Sequence, residues 1–272
     1  MYTSTDLDKL RQIMAENHEL AGTINKLLSS HRESISTITH EIRNPLTLVY
    51  SSLQLIESNH PEVHTFRHWD AMHQDVLYMM QLLADLSDYN NGFSLHKQPL
   101  NTSGFLKQLV LSFAASFEAS NIEFTSRIAP ELPYIQADGP KLKEVLLNLL
   151  KNAFEAIPSD APGSVRLDAE IINHTSSEKP DISAALAVSS SLQIQIHDNG
   201  CGIPAKHFDE IFTPFTTFKS GGTGLGLPLS KRIVEAHGGT LQAKSSPDIG
   251  TVFTILLPVS SDPASPCSGD TE

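Results

Sequence analysis

The sequence is poor in cysteine, tryptophan and positive charge. Its two cysteines, Cys201 and Cys267, cannot build a disulfide framework, and they lie too far from one another or from paired histidines to make a zinc site. They read as ordinary thiols of a reducing compartment. Lysine and arginine total 19 against 31 aspartates and glutamates, a formal net charge of −12, so a phosphate backbone is repelled and nucleic-acid binding is excluded. No uninterrupted apolar run is long enough to cross a bilayer, and the first residues, MYTSTDLDKL, are not a basic stretch followed by an apolar one. The expectation is a cytoplasmic protein without membrane insertion. Twelve histidines are many for 272 residues, yet no HExxH pair is among them, and most are expected to be solvated.

What is present begins with helical periodicity. Apolar residues recur in steps of three and four from Leu7 through Leu10, Met14, Leu20, Ile24, Leu27 and Leu28, then Ile35, Ile38, Ile42, Leu46, Val49, Leu53 and Ile56. SNHP around Pro61 breaks this helix, and a second runs through Trp69, Met72, Val76, Met79, Met80, Leu83 and Leu86 to YNNG. A hairpin alone cannot cover both apolar stripes, so pairing with a second copy into a four-helix bundle is expected. After Gly92 the texture changes. IEFTSRI, SVRLDAEII, SLQIQIHD, GTLQAKSS and GTVFTILLP read as strands, and GPKLKEVLLNLLKNAFEAI and GLPLSKRIVEAH as helices, which implies a two-layer α/β sandwich. The expected organisation is a helical extension over 1–30, a helical hairpin over 31–92, an α/β domain over 98–260, and a disordered tail over 261–272. The stretch NHTSSEKPDISAALAVSSS reads as a long hairpin loop between the two middle strands.

Four constellations carry chemistry. In STITHEIRNPL, His40 lies opposite the apolar stripe, so it is exposed on a rigid helix. Glu41 can hydrogen-bond one imidazole nitrogen and raise the nucleophilicity of the other. Asn44, one turn on, can orient a water or a phosphoryl oxygen, while Pro45 removes a backbone hydrogen bond inside the helix. In EVLLNLLKNAFEA, Asn148 and Asn152 stand four apart on one face and can hold a hydrated Mg²⁺ and phosphate oxygens; Lys151 either supplies charge to phosphates or is simply solvated. In HDNGCGIP, Asp198 at a strand end can accept a hydrogen bond from an exocyclic amine, with Gly200 and Gly202 allowing close approach to a flat ring; a plain turn is the other reading. In FKSGGTGLGLPLSKRIVEAHGG, Gly221, Gly222, Gly224 and Gly226 precede a helix whose N-terminus can receive an anion. No GKS or GKT follows, so this is not a Walker loop.

Taken in order, these motifs resemble the sensor histidine kinases of two-component signalling over nearly the whole chain after residue 30. HEIRNPL is similar to their phospho-acceptor box, NLLKNAFEA to their asparagine box, DNGCGIP and GGTGLGLPLSKRIVEAHGG to their two glycine boxes, and IFTPFTTFK to their phenylalanine box. The resemblance implies an α+β protein: a dimeric helical hairpin forming a four-helix bundle, then the ATP-binding sandwich shared with the gyrase, heat-shock ninety and MutL ATPases. It implies phosphorylation of His40, assistance by Glu41, and a part for Asn44 in dephosphorylating the partner. It implies that Asn152, with Asn148, coordinates Mg²⁺ on ATP, and that Asp198 reads the adenine amine. Gly222, Thr223, Gly224, Leu225 and Gly226 would wrap the phosphates, and Lys219 would reach the terminal one from a lid. That lid, from Pro204 to Gly221, carries Phe208, Phe212, Phe215 and Phe218, expected to latch it against the helical domain.

Roughly thirty residues precede the acceptor helix, fewer than a sensor domain needs, so input is expected from elsewhere, such as a separate sensor protein. The N-terminal segment is either a docking helix for that protein or an extension of the dimer coiled coil. The phosphoryl acceptor is expected to be the receiver domain of a separate response regulator.

Overall fold

The computed structural model describes residues 18–90, 95–115, 121–158, 162–174, 189–219, 222–247 and 249–259. Residues 1–17 of the N-terminal segment, most of the expected hairpin loop, Gly221, Cys267 and the 261–272 tail lie outside the described residues. The chain divides into two compact units, Met1–Gly92 and Phe93–Glu272.

The first unit is a helical hairpin. Helix α1, His18–Asn59, runs 42 residues without interruption and contains Pro45. A short 3₁₀ turn, Pro61–Thr65, with proline in its first turn, and His68 at a φ of 71° reverse the chain into α2, Trp69–Asn90. The Arg43 guanidinium donates to the Leu83 carbonyl at 3.4 Å and so marks the register of the two helices. Thr39 and Leu53 on α1, and Val76 and Ser87 on α2, are buried. The single apolar stripe read from the sequence divides in two. Leu53 is covered within the chain, whereas Ile38, Ile42, Val49 and Ile56 remain 54%, 49%, 49% and 40% exposed. Near the bend, Trp69 Nε1 donates to Glu57 at 3.0 Å.

The second unit has two layers. Strand β1, Gln98–Asn101, leads into α3, Thr102–Ala114, whose first turn is capped where the Asn101 carboxamide oxygen accepts from the Gly104 amide at 2.9 Å. Strands β2, Ile122–Ile128, and β3, Tyr134–Ala137, precede α4, Gly139–Glu155. Then come β4, Gly163–His174, β5, Ser189–Asp198, a 3₁₀ turn at Ala205–Glu210, α5, Gly226–Ala236, β6, Thr240–Ser246, and β7, Gly250–Pro258. The main sheet runs β2-β4-β5-β7-β6, with β2 parallel to β4 and the other pairs antiparallel. A separate ribbon pairs β1 with β3; four alternating residues, too few to register as a strand by periodicity, make the β3 half.

Alternation along the strands fixes the faces. Val165, Leu167 and Ala169 on β4, Leu192, Ile194 and Ile196 on β5, and Phe253, Ile255 and Leu257 on β7 point inward, and α4 covers them with Leu142, Val145, Leu146, Leu149, Leu150 and Ala153. Each such leucine contributes roughly 1.5–3 kcal/mol by leaving water. The consequence for function is positional: with its apolar face committed to the sheet, α4 turns its asparagines toward α5 and the preceding loop.

Candidate nucleotide site

Helix α4 is the axis of the site. Asn148 is half-buried, donates from Nδ2 to the Ser230 hydroxyl on α5 at 2.9 Å, and lies against Gly226; a Cβ on that glycine would sit 2.5 Å from Asn148 Oδ1. One turn on, Asn152 Oδ1 accepts from the ammonium of Lys219 at 3.0 Å. The same ammonium reaches Glu155 Oε2 at 2.9 Å. Lys151, its side chain 74% exposed, points to the outer edge of this group, 3.8 Å from Glu155.

Asp198 closes the site from the end of β5. Its Oδ1 accepts the amides of Gly200 at 2.9 Å and Thr251 at 3.1 Å. Among the described residues its Oδ2 has no hydrogen-bond donor, which leaves an acceptor for a ligand. Burial pushes the carboxyl above its ordinary pKa, and the two amides and the charge of Lys219 only partly offset this. The loop after Asp198 is tied to α4, because the Cys201 amide donates to the Ala156 carbonyl at 3.0 Å. Gly202 (φ 68°) packs on the Ser246 carbonyl, and Ile203 donates to the Ser245 hydroxyl at 2.8 Å.

The glycine-bearing segment leads from the lid into α5. Gly224, at a φ of 67°, takes a left-handed conformation with the Phe215 backbone 2.6 Å from where its Cβ would be, and its carbonyl accepts the Phe215 amide at 3.0 Å. Gly222 donates to the Lys219 carbonyl at 3.4 Å, and the Thr223 hydroxyl accepts the amide of the fully buried Leu225 at 3.3 Å. Among the described residues no side chain caps the N-terminus of α5, so the amide dipoles of its first turn are available to an anion. In the lid, Phe212 is packed against the core of its own domain with the Lys231 ammonium 5.0 Å from its ring centre, whereas Phe215 and Phe218 are 61% and 54% exposed.

His40, Glu41 and Asn44 are all exposed on α1, beside the buried Thr39, whose hydroxyl donates to the Ile35 carbonyl at 2.7 Å. Three residues near the nucleotide site were not picked out from the sequence: Glu155, Ser230 and Thr251. Glu155 carried a readable signal, since it continues the face of Asn148 and Asn152 by one turn. Thr251 enters through its backbone amide, which no residue pattern reports. No group of three or more histidine, cysteine, aspartate or glutamate side chains among the described residues could hold a metal ion by itself. The donor set fits a nucleotide with its cation instead: a free carboxylate oxygen for a base amine, an uncapped helix for phosphates, and an amide–carboxylate pair that already holds an ammonium.

Residues 30–92 match the His Kinase A (phospho-acceptor) domain family, and residues 137–261 the histidine kinase-, DNA gyrase B- and HSP90-like ATPase family. The sensory histidine kinase/phosphatase NtrB of Rhizobium leguminosarum bv. phaseoli is 31% identical over 273 residues, covering 92% of this chain and 66% of that protein. A full-length crystal structure of ShkA in complex with AMPPNP shares the fold, with a TM-score of 0.66 and 23% identity, covering 85% of this chain and 47% of that one. Histidine kinase ThkA in complex with the response regulator protein TrrA does so with a TM-score of 0.58 and 22% identity, covering 89% of this chain and 66% of that one. The chain belongs to the two-component sensor histidine kinases. It spans between 35% and 66% of the length of the first curated relatives it matches. Among the described residues no helix is long and apolar enough to cross a membrane.

Proposed function

We propose that this chain is an ATP-dependent protein histidine kinase that phosphorylates His40 and passes the phosphoryl group to an aspartate of a separate response regulator. The observation that carries this is Asp198: a buried carboxylate, fixed by two backbone amides through one oxygen and presenting the other, in a domain whose α4 and α5 bring an asparagine pair beside an uncapped helix N-terminus.

When bound, ATP with Mg²⁺ supplies the terminal phosphoryl group and neutralises charge along the phosphate chain. The chain's own residues do the rest. Asp198 Oδ2 would accept from the base amine, Asn148 and Asn152 would offer amide oxygens to the cation, and the segment from Gly222 to Gly226 with the first turn of α5 would hold the phosphates. On the helical unit, Glu41 holds one imidazole nitrogen of His40 so that the other attacks as a neutral nucleophile. Such transfer depends on positioning and charge stabilisation more than on covalent assistance, and both are what these residues provide. Asn44 orients the water that removes the phosphoryl group from the regulator, a phosphatase activity that the NtrB name carries for that relative. A second copy of the chain covers the exposed isoleucine and valine stripe of α1, giving a homodimer in the cytoplasm, where ATP is at hand.

The test is incubation with γ-labelled ATP and Mg²⁺, wild type beside His40→Gln. Acid-labile, base-stable label that is absent from the variant is the expected result. Nucleotide bound without label would instead make the chain a phosphorelay scaffold.

A further inference from the structure

The Lys219 ammonium sits where a cation for the nucleotide would be expected, and the side chain that shares it, Glu155, has no part in the reading above. Asn152 Oδ1 lies 3.0 Å and Glu155 Oε2 2.9 Å from the same Nζ. Two acceptors from successive turns of α4 therefore converge on one positive centre contributed by the lid. A divalent ion at Asn152 competes with the ammonium: two cations a few ångströms apart repel, and Nζ already takes one of the amide oxygen's two lone pairs.

We propose that Asn152 and Glu155 form a single cation site filled in two ways, by the Lys219 ammonium when no nucleotide is bound and by the divalent ion when it is. Lys219 is then an internal competitor that must leave before the metal–nucleotide can seat, and its departure frees the lid. Glu155 is a positioning residue, accepting from the ammonium in one state and, in the other, coordinating the ion or accepting from a water that the ion retains. Both partners are partly solvated, with side chains 41% and 38% exposed, so the contact is weak enough to be displaced. Lys151, 3.8 Å from Glu155, stays behind to balance the carboxylate. The inference rests on the nucleotide-site reading and adds an order of events: cation exchange precedes closure.

ADP is the probe, because it lacks the terminal phosphate that Lys219 would otherwise meet. Calorimetric titration of ADP at stepped Mg²⁺ concentrations is run on wild type, Lys219→Met, Glu155→Gln and the double variant, with thermal midpoints confirming folding. The competitor's removal is expected to lower the Mg²⁺ needed for half-saturation about two- to sixfold, the scale of an exposed ion pair. Glu155→Gln is expected to raise it, and the gain from Lys219→Met should shrink in the double variant. An unchanged or increased Mg²⁺ requirement in Lys219→Met, with wild type binding ADP normally, overturns the exchange alone. Failure of wild type to bind ADP or AMPPNP at any Mg²⁺ concentration overturns the nucleotide site and the exchange together.

Discussion

The imidazole of His237 accepts the backbone amide of Asp138 at 3.0 Å through Nε2, while its Nδ1 pairs with the Ile233 carbonyl at 2.8 Å. Ring nitrogens with these partners can be satisfied only by the neutral tautomer protonated at Nδ1, because a charged imidazole has no acceptor for the Asp138 amide. The end of α5 is thereby fastened to the start of α4, where Asp138 itself caps the helix by accepting from Lys141 at 3.1 Å.

Burial holds His237 below its ordinary pKa, so the unfolded chain binds a proton that the folded chain refuses. Stability from this residue is present above the unfolded value of about 6.5 and is lost as pH falls from there toward the folded value. His237→Ala should cost about 1–3 kcal/mol at pH 8, with the buried Asp138 amide left unpaired. The same substitution should flatten the fall in thermal midpoint between pH 7 and pH 5.

Asp198 has the opposite sign. Its carboxyl is raised by burial, so its contribution is complete below the unfolded value of about 3.9 and lost as pH rises through the folded one. At neutral pH the ionised group is a burden on the empty protein. Asp198→Asn, whose amide oxygen can still accept from Gly200 and Thr251, should therefore match or exceed wild type in thermal midpoint. Its nucleotide affinity should drop about 10- to 100-fold, the worth of a charge-assisted hydrogen bond. A lowered midpoint together with retained binding would remove Asp198 from the site.

Gly226→Ala tests the contact between α5 and α4. The added methyl would lie 2.5 Å from Asn148 Oδ1, so that side chain must swing away and lose its bond to Ser230. Nucleotide affinity measured by calorimetry should fall about two- to tenfold, one hydrogen bond's worth, while circular dichroism stays unchanged. Ser230→Ala should produce a smaller loss in the same direction.

Ile42→Glu places a charge in the stripe of α1 that the single chain leaves open, beside Ile38, 54% exposed. Sedimentation is expected to show a dimer for the wild type and a monomer for this variant. Leu48→Glu, at a 70% exposed position outside that stripe, should leave the dimer intact.

Much of this architecture was legible because periodicity is a property of long elements. The 42-residue α1, the apolar face of α4 and the alternating β4, β5 and β7 announced themselves through spacing alone. Strand β3 and its pairing with the short extended piece at β1 did not, since four residues hold too little pattern. The division of the α1 stripe also escaped, because spacing shows that a face is apolar but not which neighbour covers it. Within the site, Asn148, Asn152, Asp198 and the glycine segment stood out as residue types in order, and Glu155 and Lys219 became partners only once the lid was folded against α4. Phe212 shows the limit of composition: four phenylalanines in the lid read as one apolar face, yet this one is packed against its own domain's core and Phe215 and Phe218 are exposed.

Helix α1 passes from His18 to His40 without a break, so the azimuth of His40 is geared to the far end of the rod. Each residue turns an α-helix by about 100°, and inserting one between those points would swing His40 by that angle relative to anything gripping the upstream end. Beyond His40 the gearing is looser, because Pro45 has no amide to offer the Glu41 carbonyl one turn back. Rotation applied between Gly22 and His40 thus passes along a hydrogen-bonded helix to the histidine and reaches the missing bond at Pro45 immediately afterwards.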